Sequence, residues 1–199
     1  AKELMKRMDN SPHDFILNHS SKDLLQINDF KHRTFNNIDL TYFIEFLKMH
    51  YQKFNSLEDA FLLGLQAKDS NLEQSLISFR EYFFSLPEYP ERTRKHVATP
   101  TSGSSCKRLN MFLRWMIRKD KNGVDFGIWT NIKTSQLLCP EDVHVGRVAR
   151  KLGLVTSDKS NWKTTLELTD SLKKFNKEDP VKYDFALFGM GIIEGYGNE

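Results

Sequence analysis

The chain has 199 residues, 39 % of them hydrophobic and 28 % charged, with a net charge of +3, which is enough for one domain or for two small lobes sharing a core. Two distant cysteines, Cys106 and Cys139, exclude a disulfide scaffold and a four-cysteine metal or iron–sulfur site within the chain, and read as reduced thiols of a cytoplasmic protein. No run of about 18 apolar residues occurs, so no membrane helix is expected.

Helical spacing dominates and strand alternation is almost absent, which predicts an all-α fold. The opening "AKELMKRM" is already helix-like and has no initiator Met, so an upstream part is expected to be missing. Helices are predicted over Lys2–Met8 and over Pro12–Asn18, the second with Ser11 as its cap and proline in the first turn. After Asn36 and Asn37, which can cap, Leu40, Phe43, Ile44, Leu47 and Tyr51 make one stripe. Ser56 and Asp59 look like a capping box ahead of an apolar run. From Asn71, a second stripe of Leu72, Leu76, Phe79 and Phe83 stops before Pro87. Further helices are predicted near Ser105–Lys119, Glu141–Leu152 and Trp162–Phe175, with a last one over Pro180–Met190 capped by Asp179. Three segments are expected: 1–35, a helical lobe over 36–121, and 122–199.

Charge is unevenly placed. Between Arg92 and Lys121 stand nine Lys or Arg and a single acid, Asp120. In "TPTSGSSCKRLNMFLRWMIRK", Leu109, Phe112, Leu113 and Met116 share one face. At 100° per residue Lys107, Arg114 and Arg118 fall within about 40° of one another on the other. Gly103, Ser104 and Ser105 lead into the helix, and exposed backbone N–H groups at such a start favour a phosphate. Two readings of this face stand open, a solvated basic surface and a nucleic-acid contact.

"CPEDVHVGRVARKLGL" (139–154) places two acids at a helix start, with Val145, Val148, Ala149 and Leu152 as the buried face and Gly146 as a point of close approach by another backbone. Asp142 reads either as an ordinary cap or as a carboxylate facing a polyanion. Trp129 and Phe126 in "GVDFGIWTNI" are candidates for stacking on a base, with anchoring in the core as the alternative. "GMGIIEG" (Gly189 to Gly195) follows a helix rather than a strand, which rejects a dinucleotide loop. His13, His19, His32, His50 and His96 lack ligand spacing, so no metal is expected.

"DVHVGRVARKLGL" resembles the segment after the hairpin in helix-hairpin-helix DNA glycosylases, the superfamily of endonuclease III and 8-oxoguanine glycosylase, with Asp142, Val143, His144 and Arg147 matching and Arg150, Leu152 and Gly153 fitting later. "GSSCKRLN" is similar to the family's Gly-x-Gly-x-Lys hairpin, placing Lys107 at the lysine of the bifunctional members, with Ser105 where the second glycine stands. "DPVKYDFALFGMGI" looks like the family's late helix. The chain looks closer still to an uncharacterised bacterial family grouped beside these enzymes, in which segments like "SPHDFILNH" and "RKLGL" keep this order.

The resemblance implies a two-lobed helix-hairpin-helix fold, truncated at its N-terminal side, and a DNA-repair glycosylase that extracts a modified base from damaged duplex. Lys107 would attack C1′ and form a Schiff base. Asp142 would stabilise positive charge on the sugar. Gly103, Ser104, Ser105, Arg108, Arg114, Arg118, His144 and Arg147 would contact phosphate. It implies no cofactor, no iron–sulfur cluster and a monomer. The alternative is a non-catalytic nucleic-acid-binding protein that keeps the fold.

Overall fold

Caps and apolar stripes decide where the helices begin and end. A computed structural model of the chain describes residues 2–121, 123–193 and 196, which are mostly helical. α1 (Lys2–Arg7) and α2 (Pro12–Asn18) come first; Pro12 takes the first turn, although the Ser11 side chain makes no cap bond. A 3-10 turn at Asp23–Ile27 comes next, followed by an antiparallel hairpin with two residues per strand, of which the helical spacing gave no hint. In the hairpin β1 (Lys31–His32) pairs with β2 (Phe35–Asn36) around a left-handed Arg33.

Asn36 then caps α3 (Asn37–Tyr51): its side chain accepts from the Asp39 N–H while the Asp39 carboxylate accepts from the Asn36 N–H. α4 (Glu58–Leu62) starts with the Ser56 hydroxyl accepting from the Glu58 N–H at 3.1 Å. α5 (Glu73–Phe83) starts with the Asn71 side chain accepting from the Glu73 N–H at 2.9 Å. α6 (Lys107–Ile117), α7 (Val143–Lys151) and α8 (Trp162–Lys173) follow, and the turn Pro180–Tyr183 leads into α9 (Asp184–Ile192).

The residues divide into two compact units, one of Ala1–Ala60 with Arg80–Val97 and one of Phe61–Phe79 with Ala98–Glu199. The chain therefore crosses between units three times, whereas the sequence suggested cuts at 35/36 and 121/122. The first unit buries Met8, Phe15, Ile27, Leu40 and Ile44 in one cluster, with Phe46 packed on Phe83 nearby. In the second, Val145, Val148 and Ala149 of α7 meet Leu168 and Leu172 of α8 and Leu187 of α9. Each large side chain so buried contributes about 1.5–3 kcal/mol.

The close approach expected at Gly146 occurs elsewhere. A Cβ on Gly146 would meet only the tips of Glu141 and Arg150, whereas on Gly191 it would stand 3.0 Å from the Cβ of His144 and 3.1 Å from its carbonyl oxygen. A glycine in α9 is thus what lets α7 and α9 pack tightly. Gly195, the end of the glycine-containing segment, lies outside the described residues.

Candidate nucleic-acid interface

The turn before α6 is built by two left-handed residues. Pro100–Ser102 form a short 3-10 turn ended by Gly103 at φ 74°, with open space where a Cβ would stand. Its carbonyl accepts the Trp162 N–H at 2.9 Å, which ties the turn to the first residue of α8. Ser104 Oγ accepts from the Cys106 N–H at 3.2 Å, and the Asn110 side chain donates to the Ser105 carbonyl at 3.0 Å. Cys106 is left-handed at φ 50° and buried, a backbone choice that costs a non-glycine residue about 1 kcal/mol. It offers α6 no side-chain cap, and Lys107 and Arg108 stand exposed at the uncapped start.

Arg114 and Arg118 correct the reading of this helix as a basic surface. Arg114 is 1 % exposed. Its Nη1 pairs with the Asp184 carboxylate, and its Nε lies 3.3 Å from Asp125 Oδ1. Arg118 holds Asp179 through Nε and Nη2, both at 2.8 Å, and pairs with Asp125 through Nη1. Two guanidinium groups meeting three carboxylates are committed inside the unit and unavailable to phosphate. Helical spacing grouped them correctly with Lys107, but this face turns inward as it leaves the helix start. The sequence reading missed Asp125 and Asp184, and named Asp179 only as a helix cap, whereas its side chain makes no cap bond and accepts from Arg118 instead. Their partners lie 7 to 70 residues away, and no local pattern marks such pairs.

The acids at the start of α7 part company. Glu141 is 2 % exposed; burial pushes its carboxyl up, opposed by the Arg150 charge and by hydrogen bonds from Thr165 and Ser160. Asp142 is half-buried and caps α7, its Oδ1 accepting from the N–H groups of His144 (2.8 Å) and Val145 (2.9 Å). His144 is half-buried as well; Arg147 donates Nη2–H to its Nδ1 at 2.8 Å, and the Phe188 ring packs edge-on beside it at 5.9 Å.

At the start of α9, Asp184 is 3 % exposed. Burial raises its pKa to about 6 despite the Arg114 charge, and the nearby Asp142 and Asp125 charges add to the rise. Asp142 is therefore an electrostatic neighbour of the Arg114 network. Over the outer face of the same guanidinium lies the half-exposed Phe185 ring, 3.9 Å from Arg114 Cζ to the ring centre.

The two aromatic candidates separate too. Trp129 is buried against Phe61 and Phe112, which anchors its loop, whereas Phe126 remains 55 % exposed beside a β-bridge to Lys119. Among the described residues no cluster of three metal-ligating side chains exists, and no helix is long and apolar enough to cross a membrane.

A family described as "protein of unknown function (DUF2400)" matches residues 1–193. The chain belongs to that family. No curated protein and no solved structure matches it. The description of DUF2400 assigns no activity, so a functional reading rests on the side chains around the starts of α6 and α7.

Proposed function

We propose that the chain binds DNA through the turn 100–106 and the start of α6, and removes a modified base from it. Lys107 serves as the nucleophile and Asp142 as the carboxylate; Ser104, Ser105, Arg108 and the His144–Arg147 pair contact phosphate. One observation carries the reading. Lys107 is exposed at the first position of α6, two turns before Arg114 on the same face, about 10 Å along the helix. Arg114 grips Asp184, and Asp184 feels the charge of Asp142. The amine and the carboxylate both belong to the second unit, and the buried Arg114–Asp184 pair is the link between their helices that supports the reading. The uncapped start of α6 supplies phosphate-seeking N–H groups beside the amine.

The chemistry follows from those groups. A base swung out of the stack presents its sugar C1′. The Lys107 amine attacks C1′, the C1′–N bond breaks, and its electron pair leaves with the base, which takes up a proton. Positive charge developing on the sugar is stabilised by the Asp142 carboxylate. Loss of the amine proton and opening of the ring give a Schiff base, which borohydride reduces to a permanent adduct.

The test is borohydride trapping by the full chain on duplexes carrying a panel of lesions, with Lys107→Ala and Asp142→Asn alongside. An adduct lost in Lys107→Ala supports the reading. Salt-dependent DNA binding with neither adduct nor base release replaces it with the non-catalytic binding module. Absence of DNA binding ends both.

A further inference from the structure

A second feature of the same unit is not used by this chemistry. A cavity of about 380 Å3 opens between three segments, residues 67–70, 133–136 and 173–178. Side chains pin its walls to one another. The Gln136 amide donates to the Asp69 carbonyl at 3.0 Å, and its oxygen accepts from the Lys133 N–H at 3.1 Å. The Thr134 hydroxyl donates to the Glu178 carbonyl at 2.6 Å, and the Lys173 ammonium to the Ser70 carbonyl at 3.0 Å. Segments far apart in sequence are thus held around a polar hollow rather than collapsed onto it.

The lining sets Lys133, Lys173 and Lys177 against Asp69 and Glu178. Asp69 already accepts the Gln66 N–H at 2.8 Å. Capping of a helix C-terminus accounts for Lys173, the last residue of α8, but not for Lys177 beyond it nor for Lys133 from another segment. Three ammonium groups with hydroxyls of Ser70 and Ser135 suit a ligand with several acceptor oxygens on one centre. Lysine meets phosphate as a point charge, whereas a planar carboxylate is matched by the arginine fork, and no arginine lines this cavity.

We propose that this recess binds a phosphate group. Its source is either a backbone phosphodiester of the nucleic acid or free inorganic phosphate, and the first of these rests on the function proposed above. The position favours a backbone. The turn 100–106 is tied to the first residue of α8 and the recess lies at its last, about 17 Å apart along the helix. At 3.4 Å per nucleotide of one strand this separation spans about five nucleotides.

Two measurements on the full chain test it: duplex-DNA affinity as a function of salt, and thermal stability in inorganic phosphate against chloride at equal ionic strength. The variants are the triple Lys133→Gln/Lys173→Gln/Lys177→Gln, Arg108→Gln as the comparator at the turn, and Glu178→Gln, which removes the competing acid. A backbone contact makes the triple variant bind DNA more weakly and lowers the slope of log K against log salt by about 0.9 per lost phosphate, while Glu178→Gln tightens binding. With a free-phosphate site, the triple variant keeps that slope unchanged but loses the phosphate-specific rise in melting temperature that wild type shows. If wild type binds no DNA yet shows that rise, and the triple variant loses it, the recess stands and the DNA reading falls. If DNA affinity responds to Arg108→Gln but neither measurement responds to the triple variant, the recess proposal is overturned and the DNA reading survives.

Discussion

Asp39 in the first unit and Asp184 in the second are both buried aspartates paired with an arginine, yet they titrate in opposite directions. For Asp39, burial alone would push the carboxyl up. The Asn36 N–H, the Thr93 hydroxyl, and the His96 and Arg92 charges outweigh it and hold the carboxyl below its usual value. For Asp184, burial wins over Arg114, and two further carboxylates nearby raise it to about 6. The lesson is one of donor supply. Asp39 gathers donors from four residues, one a backbone N–H fixed by a helix cap. Asp184 shares one guanidinium with Asp125 and lies near Asp142. The first site is saturated and structural; the second is short of positive charge beside the carboxylate assigned to chemistry.

The largest expected effect comes from removing that guanidinium. Arg114→Met leaves Asp184 and Asp125 buried with less compensation, and breaking a buried pair from one side costs about 3–5 kcal/mol. All three tryptophans, at 115, 129 and 162, belong to the second unit. Denaturant unfolding followed by tryptophan fluorescence therefore reads this loss directly. A cost below 1 kcal/mol would mean that Arg118 alone satisfies the carboxylates.

Next comes pH. Folded Asp184 keeps its proton up to about pH 6, whereas an unfolded aspartate releases it near 4. Between those values the folded state binds more protons, so the stability of the second unit falls as pH rises. Asp39 has the opposite sign. Its contribution is present above about pH 4 and disappears as pH falls through its lower folded value. Asp184→Asn is expected to flatten the fluorescence-detected dependence between pH 4 and 6. If the dependence persists unchanged, Glu141 is the next group to test, since its carboxyl is also raised.

Gly191→Ala ranks third. Its Cβ would press on the Cβ and carbonyl of His144 where α7 meets α9, and overpacking of this kind costs about 1–3 kcal/mol. Gly189→Ala, on the same helix with open space around it, is the control and should not destabilise. Equal effects would show that helix propensity rather than close packing governs both.

What the sequence made legible follows the range of the forces involved. Helix starts at Asn36, Ser56, Asn71 and Asp142 were readable because a cap acts over two or three residues. The hairpin at 31–36 was not, since two residues per strand are too few for alternation to register. Arg114 was grouped with Lys107 on the correct face of α6 and assigned the wrong environment. Whether that face meets solvent or Asp184 is decided by a residue 70 positions away. Glu141 and Asp142 were visible as a pair, but their separation into a buried and a capping carboxylate depends on Thr165 and Ser160, which no spacing rule connects to them.

The smallest expected change in stability is the one that discriminates most sharply. Asp142 caps α7 with a single oxygen, so asparagine, an equally good cap, keeps both hydrogen bonds and should alter stability by less than about 0.5 kcal/mol. Alanine removes the cap and should cost about 1 kcal/mol. A purely structural Asp142 would make function follow that order, with asparagine near wild type and alanine impaired. A carboxylate that stabilises a cationic sugar would make both variants inactive in base release while DNA affinity survives in the asparagine form, because only the negative charge is missing. Asp184 sharpens the contrast further: Asp142→Asn takes away one of the charges that raises it, so its fluorescence-detected transition should move down from about pH 6. An Asp142→Asn protein that releases base at the wild-type rate would leave Asp142 a helix cap and nothing more.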